Sequence, residues 1–252
     1  MLRRRSRDSV TWGAQGYSAM TSSAGIIAAG EGSRLRMGGI EVNKPLVPIA
    51  GTPLIGHTLR QFVNIGVQRV VIIFNESEND CVDWVRAHFL SLEVEILVES
   101  TRSSFESFWR VGRALGPGRH LICAVDSICA PADWRAMFSS KADSERDVLL
   151  GVTSYVHDDK PLWVRTEPGS LRIAEMGGTT GSLATAGIYS VGGAVFEREL
   201  EDGIPSLRVF LGELLREGFP LRAVPLANVI DVDTAEDINL AERFLSRIRS
   251  AA

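Results

Sequence analysis

The first half of the chain alternates short apolar runs with segments of helical periodicity. Residues 24–29 (AGIIAA) are apolar throughout, the pattern of a strand buried on both faces. A glycine-rich stretch follows. Thr52-Pro53 then marks a helix start with proline at the first helical position, and Leu54, Ile55, Leu59, Phe62 and Val63 form its apolar stripe. Residues 69–74 (RVVIIF), 93–98 (EVEILV) and 120–125 (HLICAV) read as further strands. Between them, 79–90 is expected to be a helix turning Val82, Val85 and Phe89 inward. A second helix over 104–115 places Phe105, Phe108, Trp109, Gly112 and Leu115 on one stripe. Such alternation predicts a parallel sheet with right-handed crossovers. The second half differs, with strand-like runs at 147–153, 161–165, 171–175 and 184–190 that suggest hairpins. Helices return at 206–217 and 234–248, the last capped by Thr234 with Asp237 three residues on and turning Ile238, Ala241, Leu245 and Ile248 inward. The expected fold class is therefore α/β: a Rossmann-like mixed, mainly parallel sheet flanked by helices. No repeat or linker divides the chain. Residues 23–252 are expected to form a single domain, with a nucleotide-binding half over about 23–130 and an acceptor-binding half over about 131–252.

Composition narrows the class. The chain has 252 residues, 45% apolar and 23% charged, enough to bury a core and too apolar for global disorder. No run approaches the length of apolar sequence that spans a bilayer. The formal net charge of −4 divides unevenly. Arg3, Arg4, Arg5 and Arg7 against Asp8 give the first 19 residues +3, which leaves −7 on the rest. An acidic body argues against duplex nucleic acid as a partner. Residues 1–22 read as a flexible basic tail: 8–19 lack the apolar region of a signal peptide, and Met20 offers an alternative start. A transit peptide is the less favoured reading. Cys81, Cys123 and Cys129 form no C-x-x-C pair, consistent with a reducing, cytoplasmic location. His57, His88, His120 and His157 show no zinc-ligand spacing. Of 27 basic residues only Lys44, Lys141 and Lys160 are lysine, so each lysine merits inspection.

The chemistry begins after the first run, at Gly30-Glu31-Gly32-Ser33-Arg34-Leu35. Glycines there let the backbone approach a phosphate and aim N–H groups at it. A dinucleotide fold would have glycine at position 35 and open a helix at once. Here Leu35 occupies that position, and a loop is expected to continue through Gly38 and Gly39. No Gly-Lys-Ser/Thr of a P-loop is present. Lys44-Pro45-Leu46 follows ten residues after Arg34, and the proline predicts an extended backbone that holds the lysine on a rigid return strand facing the loop. Gly51-Thr52-Pro53-Leu54-Ile55 comes next. This series, from Ala28-Ala29-Gly30-x-Gly32-Ser33-Arg34-Leu35 through Lys44-Pro45-Leu46 to Gly51-x-Pro53-Leu54-Ile55, resembles the nucleotidyltransferase family, that of the sugar-phosphate nucleotidyltransferases and NDP-sugar pyrophosphorylases.

The resemblance implies a nucleotide-diphospho-sugar transferase type of fold. It also implies Mg²⁺-dependent transfer of NMP from an NTP to a phosphorylated acceptor, commonly a sugar 1-phosphate, with pyrophosphate released. Polyol phosphates, choline phosphate and molybdopterin have related enzymes. It assigns Arg34 and Lys44 to catalysis, and Ala28, Ala29, Gly30, Gly32 and Ser33 to the nucleotide. It gives the metal to Asp126, after the fourth strand, and to Asp231 in Ile230-Asp231-Val232-Asp233. Mg²⁺ takes one or two carboxylates together with phosphate oxygens and water. Asp233 is the alternative ligand, but its place beside the helix cap suggests that it supports that turn. Ser103 and Ser104 either cap the following helix or bind the nucleotide through its N-terminus. Ala186-Gly187-Ile188-Tyr189 resembles the family's A-G-I-Y strand, whose small residues let an acceptor approach the backbone. Lys160, after Asp158-Asp159, is a candidate for the acceptor's phosphate or an ordinary surface lysine, and Arg208 has the same ambiguity. The chain departs from the family in having Val125 where glycine usually precedes the first metal aspartate. Glu99–Ser104 also lacks the Gln-rich base-reading motif, so the base is not legible. A metal-dependent glycosyltransferase of the same fold and a non-catalytic nucleotide-binding relative are the rival readings. A homo-oligomer is left open.

Overall fold

The computed structural model describes residues 23–156, 160–199 and 203–251. The expected tail over 1–22, His157 and the Asp158-Asp159 pair lie outside these. In chain order the elements are β1 (Ser23–Ile27), α1 (Ser33–Met37), a 3₁₀ turn (Lys44–Leu46), β2 (Pro48–Ile49), β3 (Thr52–Pro53), α2 (Leu54–Ile65), β4 (Arg69–Phe74) and α3 (Asn79–His88). There follow β5 (Glu93–Val98), α4 (Ser104–Leu115), β6 (Arg119–Ala124), β7 (Ser127–Cys129), α5 (Pro131–Ser139) and β8 (Val148–Thr153). The remainder comprises β9 (Trp163–Thr166), β10 (Ile173–Met176), β11 (Leu183–Gly192), a second 3₁₀ turn (Gly193–Val195), α6 (Leu207–Arg216), β12 (Leu221–Pro225), β13 (Val229–Asp231) and α7 (Ala235–Ala251).

Strands β5, β4, β1 and β6 lie side by side and parallel, as their continuous apolar runs predict. The second half joins the same sheet through β11, which runs antiparallel to β6, β8 and β9, while β12 pairs with β8 in parallel and β10 closes the far edge beside β9. Alternate residues of each central strand enter different cores. Ile27, Val71 and Ile73 face α4 and α6, packing with Phe108, Phe196 and Phe210. Ile26, Val70 and Ile72 face α2, α3 and α5, packing with Phe62, Val85 and Trp134. A third, smaller cluster seats α7 through Ala241 against Leu35, Ile49, Ile128 and Ile230. Gly112 on α4 lies so close to the Phe196 ring that a Cβ there would overlap it.

Four local expectations are corrected. The glycine stretch is not a continuous loop, because a one-turn helix opens at Ser33, entered from a left-handed Gly32 and left through Gly38 and Gly39. Lys44 stands in a 3₁₀ turn rather than on an extended strand. That turn is closed by Leu46 N–H to Asn43 O (2.8 Å) and Val47 N–H to Lys44 O (3.1 Å), so proline's missing donor is never needed. Thr52-Pro53 forms a short strand with Pro48-Ile49, and α2 begins one residue later with Pro53 as its cap. Val63, expected on the inner stripe of α2, is exposed.

The cap residue of α3 has a measurable consequence. Glu78 is 2% exposed and accepts a hydrogen bond from Asn75 N–H at 2.9 Å. Burial pushes its carboxyl up to about 7, against that hydrogen bond, which favours the ionised form. Between the unfolded carboxylate range and pH 7 the folded chain therefore keeps a proton that the unfolded chain has lost. This contribution makes stability fall as pH rises through that window. Glu78→Gln should remove this slope and stabilise the protein at pH 8 by on the order of 1 kcal/mol. Urea denaturation at pH 5 and pH 8 checks it, and an equal effect at both pH values would refute it.

Candidate active site

The parallel strands end together, and the residues singled out in the sequence gather at that carboxyl edge, the usual ligand edge of open α/β sheets. The turn after β1 carries Ala28, Ala29, Gly30 and Gly32. Gly32 has φ +60°, and a Cβ there would meet Lys44 Cβ at 3.0 Å. Glycine is thus what lets the 3₁₀ turn close on the loop and place Lys44 beneath it. Lys44, only 9% exposed, extends Nζ to Asp126 Oδ2 at 2.5 Å and to Asp233 Oδ1 at 2.6 Å. Arg34, exposed on α1, reaches the other oxygen of Asp233 at 2.7 Å. Two cations and two carboxylates from four separate segments thus form one chain of ion pairs. Burial alone would lower the pKa of the Lys44 ammonium, but the charges of Asp126 and Asp233 outweigh it and hold the group above its ordinary value.

Asp231 comes to the same place by another route. Strand β13 pairs with β7 so that Asp231 lies opposite Ser127, and Ser127 Oγ donates to Asp231 Oδ1 at 3.0 Å. The backbone adds Val232 N–H to Asp126 O at 3.1 Å. Burial and then the charge of Asp126 push the Asp231 carboxyl up to about 7; Ser127 and Lys44 pull the other way. The expectation that Asp233 supports the helix cap is corrected. Asp237 does that, accepting from Asp233 N–H, Thr234 N–H and Thr234 Oγ, while the Asp233 side chain serves both cations.

Among the described residues no cluster of three or more His, Cys, Asp or Glu groups is assembled for a metal. Mg²⁺ does not require one when phosphate oxygens and water complete its shell. Asp126 and Asp231 would suit such an ion: the second carboxyl resists ionisation chiefly because it is buried and then because of the charge of the first, and a divalent cation would relieve both effects.

Beside Lys44 opens a cleft of about 340 Å³, lined by Ala29, Gly30, Lys44, Ser104, Val125 and Asp126 among others. Ser103 is the cap of α4, accepting from Glu106 N–H at 3.3 Å. Ser104 is the first helical residue; its hydroxyl accepts from Leu207 N–H at 3.4 Å and also lines the cleft. Thr101 and Ser107, not singled out in the sequence, line the same cleft with their hydroxyls 2.7 Å apart. A neighbouring cleft of about 270 Å³ shares Ile27, Ser104 and Ala124 with the first and adds Leu162, Thr185, Tyr189, Ser206 and Arg208. Arg208 NH2 donates to the carbonyl of Lys160 at 2.5 Å and Arg208 NH1 to that of Pro161 at 3.4 Å, so the arginine braces the chain beside this second cleft, and Lys160 is exposed. Gly187 has φ +67° and lies where the β11–β8 register shifts, its Cα against Ser127. No helix among the described residues is long and apolar enough to cross a membrane.

Comparison with known proteins identifies the family and the fold. The chain is 25% identical over 231 residues to the bifunctional IPC transferase and DIPP synthase of Aquifex aeolicus, covering 90% of this chain and 52% of that protein. It is 30% identical over 171 residues to a CMP-5'-(3-aminopropyl)phosphonate synthase of Streptomyces rubellomurinus, covering 60% of this chain and 27% of that one. It therefore spans about half of the first relative and about a quarter of the second. Among solved structures, the inositol-1-phosphate CTP transferase from T. maritima superposes with a TM-score of 0.79 at 20% identity, covering 92% of this chain and 98% of that one. The fold is thus that of the nucleotide-diphospho-sugar transferases. The model of the MobA-like NTP transferase domain matches residues 24–184, from the glycine loop through Lys44 and Asp126 into β11, and the chain belongs to that nucleotidyltransferase family.

Proposed function

We propose that the protein transfers a cytidylyl group from CTP to a small molecule bearing a phosphate or phosphonate, and releases pyrophosphate. The observation that carries this reading is the position of Lys44, buried between Asp126 and Asp233 at the mouth of the cleft beside the glycine loop. The choice of cytidine is supported by relatives named for it, including a 2-aminoethylphosphonate cytidylyltransferase of Lancefieldella rimae that is 28% identical over 122 residues. The acceptor occupies the second cleft, lined by the polar residues Thr185, Tyr189, Ser206 and Arg208 and by the apolar Leu162 and Leu207.

In the reaction an acceptor oxygen, already anionic at neutral pH, bonds to the α-phosphorus as the bond to pyrophosphate breaks. No protein nucleophile or general base is needed; alignment and charge neutralisation suffice. The glycine-loop N–H groups and the Ser104 side of the cleft hold the nucleotide. Lys44 neutralises charge at the α-phosphate, and Arg34 offers a planar fork to the departing pyrophosphate. Asp126 and Asp231 would hold Mg²⁺, which supplies charge neutralisation and aligns the two phosphates.

A pyrophosphate-release assay of CTP, UTP, ATP, GTP and dTTP against inositol 1-phosphate, glucose 1-phosphate, choline phosphate and 2-aminoethylphosphonate tests the reading. Pyrophosphate is expected with CTP and only when an acceptor is present. Release with another nucleotide overturns the cytidine assignment. Turnover of an NDP-sugar without pyrophosphate would move the protein to the glycosyltransferases, and nucleotide binding with no exchange would make it a non-catalytic relative.

A further inference from the structure

We infer that Ser127 is the positioning residue of the second carboxylate, and that Gly187 is glycine because Ser127 needs its space. The inference rests on the proposed reading of Asp126 and Asp231 as the cation-holding pair. Ser127 follows Asp126 directly, is 1% exposed, and donates its only hydroxyl proton to Asp231 Oδ1. It also pairs with Asp231 across the β7–β13 ladder, so backbone and side chain fix the same neighbour. One residue therefore links the strand that leaves Asp126 to the carboxylate arriving from a hundred residues further along the chain.

Gly187 completes the arrangement from the other side. A Cβ built there would overlap Ser127 Oγ, with Ala124 Cβ and Ser127 Cβ next nearest at 3.6 and 3.7 Å. The small residue of this A-G-I-Y strand thus contacts the serine that holds Asp231. Its left-handed backbone, in the stretch where β11 slips register against β8, is a second reason for glycine. This role through Ser127 stands beside the expectation that Gly187 lets the acceptor approach the backbone.

Losing an orienting hydrogen bond behind a metal ligand commonly costs 10–100-fold in metal affinity. Mn²⁺ alone, titrated into the full chain and followed by electron paramagnetic resonance, is the probe. Ser127→Ala should bind Mn²⁺ about 10-fold more weakly than the parent, while CTP affinity measured in EDTA stays within about twofold and the far-UV CD spectrum is unchanged. Gly187→Ala should show a similar loss of Mn²⁺ affinity. Adding it to Ser127→Ala should then cost little more in that affinity, although its backbone strain lowers the melting temperature in both backgrounds. A Ser127→Ala protein that binds Mn²⁺ as the parent does overturns the inference, whatever its melting temperature. If the parent itself neither binds Mn²⁺ nor releases pyrophosphate, the functional reading falls and this inference with it.

Discussion

Lys44→Ala is expected to lower the rate of pyrophosphate release by about a hundred- to a thousandfold, the usual cost of removing one preorganised charge-stabilising donor. The expectation follows from where the ammonium stands. It is nearly buried, it is held in its charged form by two carboxylates, and it borders the cleft that the triphosphate is proposed to enter. The fold should survive. Asp126 and Asp233 are 21% and 24% exposed, so water can reach them once the lysine is gone, and Arg34 still pairs with Asp233. Single-turnover rates beside a thermal melt separate the two effects. A melting temperature within a few degrees of the parent with near-parent turnover would remove Lys44 from the mechanism.

Asp126→Ala should cut kcat/KM for CTP at least about a hundredfold and raise the Mg²⁺ concentration needed for half-maximal rate. Its signature differs from that of Lys44→Ala. Loss of the aspartate removes a proposed metal ligand and leaves Lys44 paired with Asp233 alone. It also removes the negative charge that helps push the Asp231 carboxyl up to about 7, so Asp231 should ionise more readily in the variant. The measurement is a Mg²⁺ titration of the initial rate. An unchanged metal requirement with a lowered rate would make Asp126 a partner of Lys44 and not a metal ligand.

Much of this site was legible because its parts are local. Strands β4 and β5 and helix α4 fall on the expected ranges, since each is bounded by turn signals, the strands being short apolar runs and the helix carrying a clear apolar stripe. The motif residues Arg34, Lys44 and Asp126 needed only the knowledge that parallel strands end together. What the sequence left obscure depends on partners far along the chain. Strands β7 and β13 have three residues each, too short for any period, and only their pairing brings Asp231 to Ser127. The turn at Lys44 departs from the expected extended backbone because proline after it restricts the helical region without forbidding one 3₁₀ turn. Two further signals stand in the sequence. Pro131 at a helix start, followed by Trp134 and Met137, announces α5. In Ile230-Asp231-Val232-Asp233 the two-residue spacing places both acids on one side of an extended chain.

Strand β11 ties the two halves of the chain, expected to bind nucleotide and acceptor, into one sheet. Its last five residues, Ile188–Gly192, cover the edge of β6 with hydrogen bonds, and its first two, Leu183-Ala184, anchor β9. A fragment ending near residue 130 would leave β6 as a bare edge of unpaired amides and strip Tyr189 and Phe196 from the core around Phe108. The second half of the chain is therefore the structural lid of the first, and exchanging second halves between relatives means transplanting that seam intact.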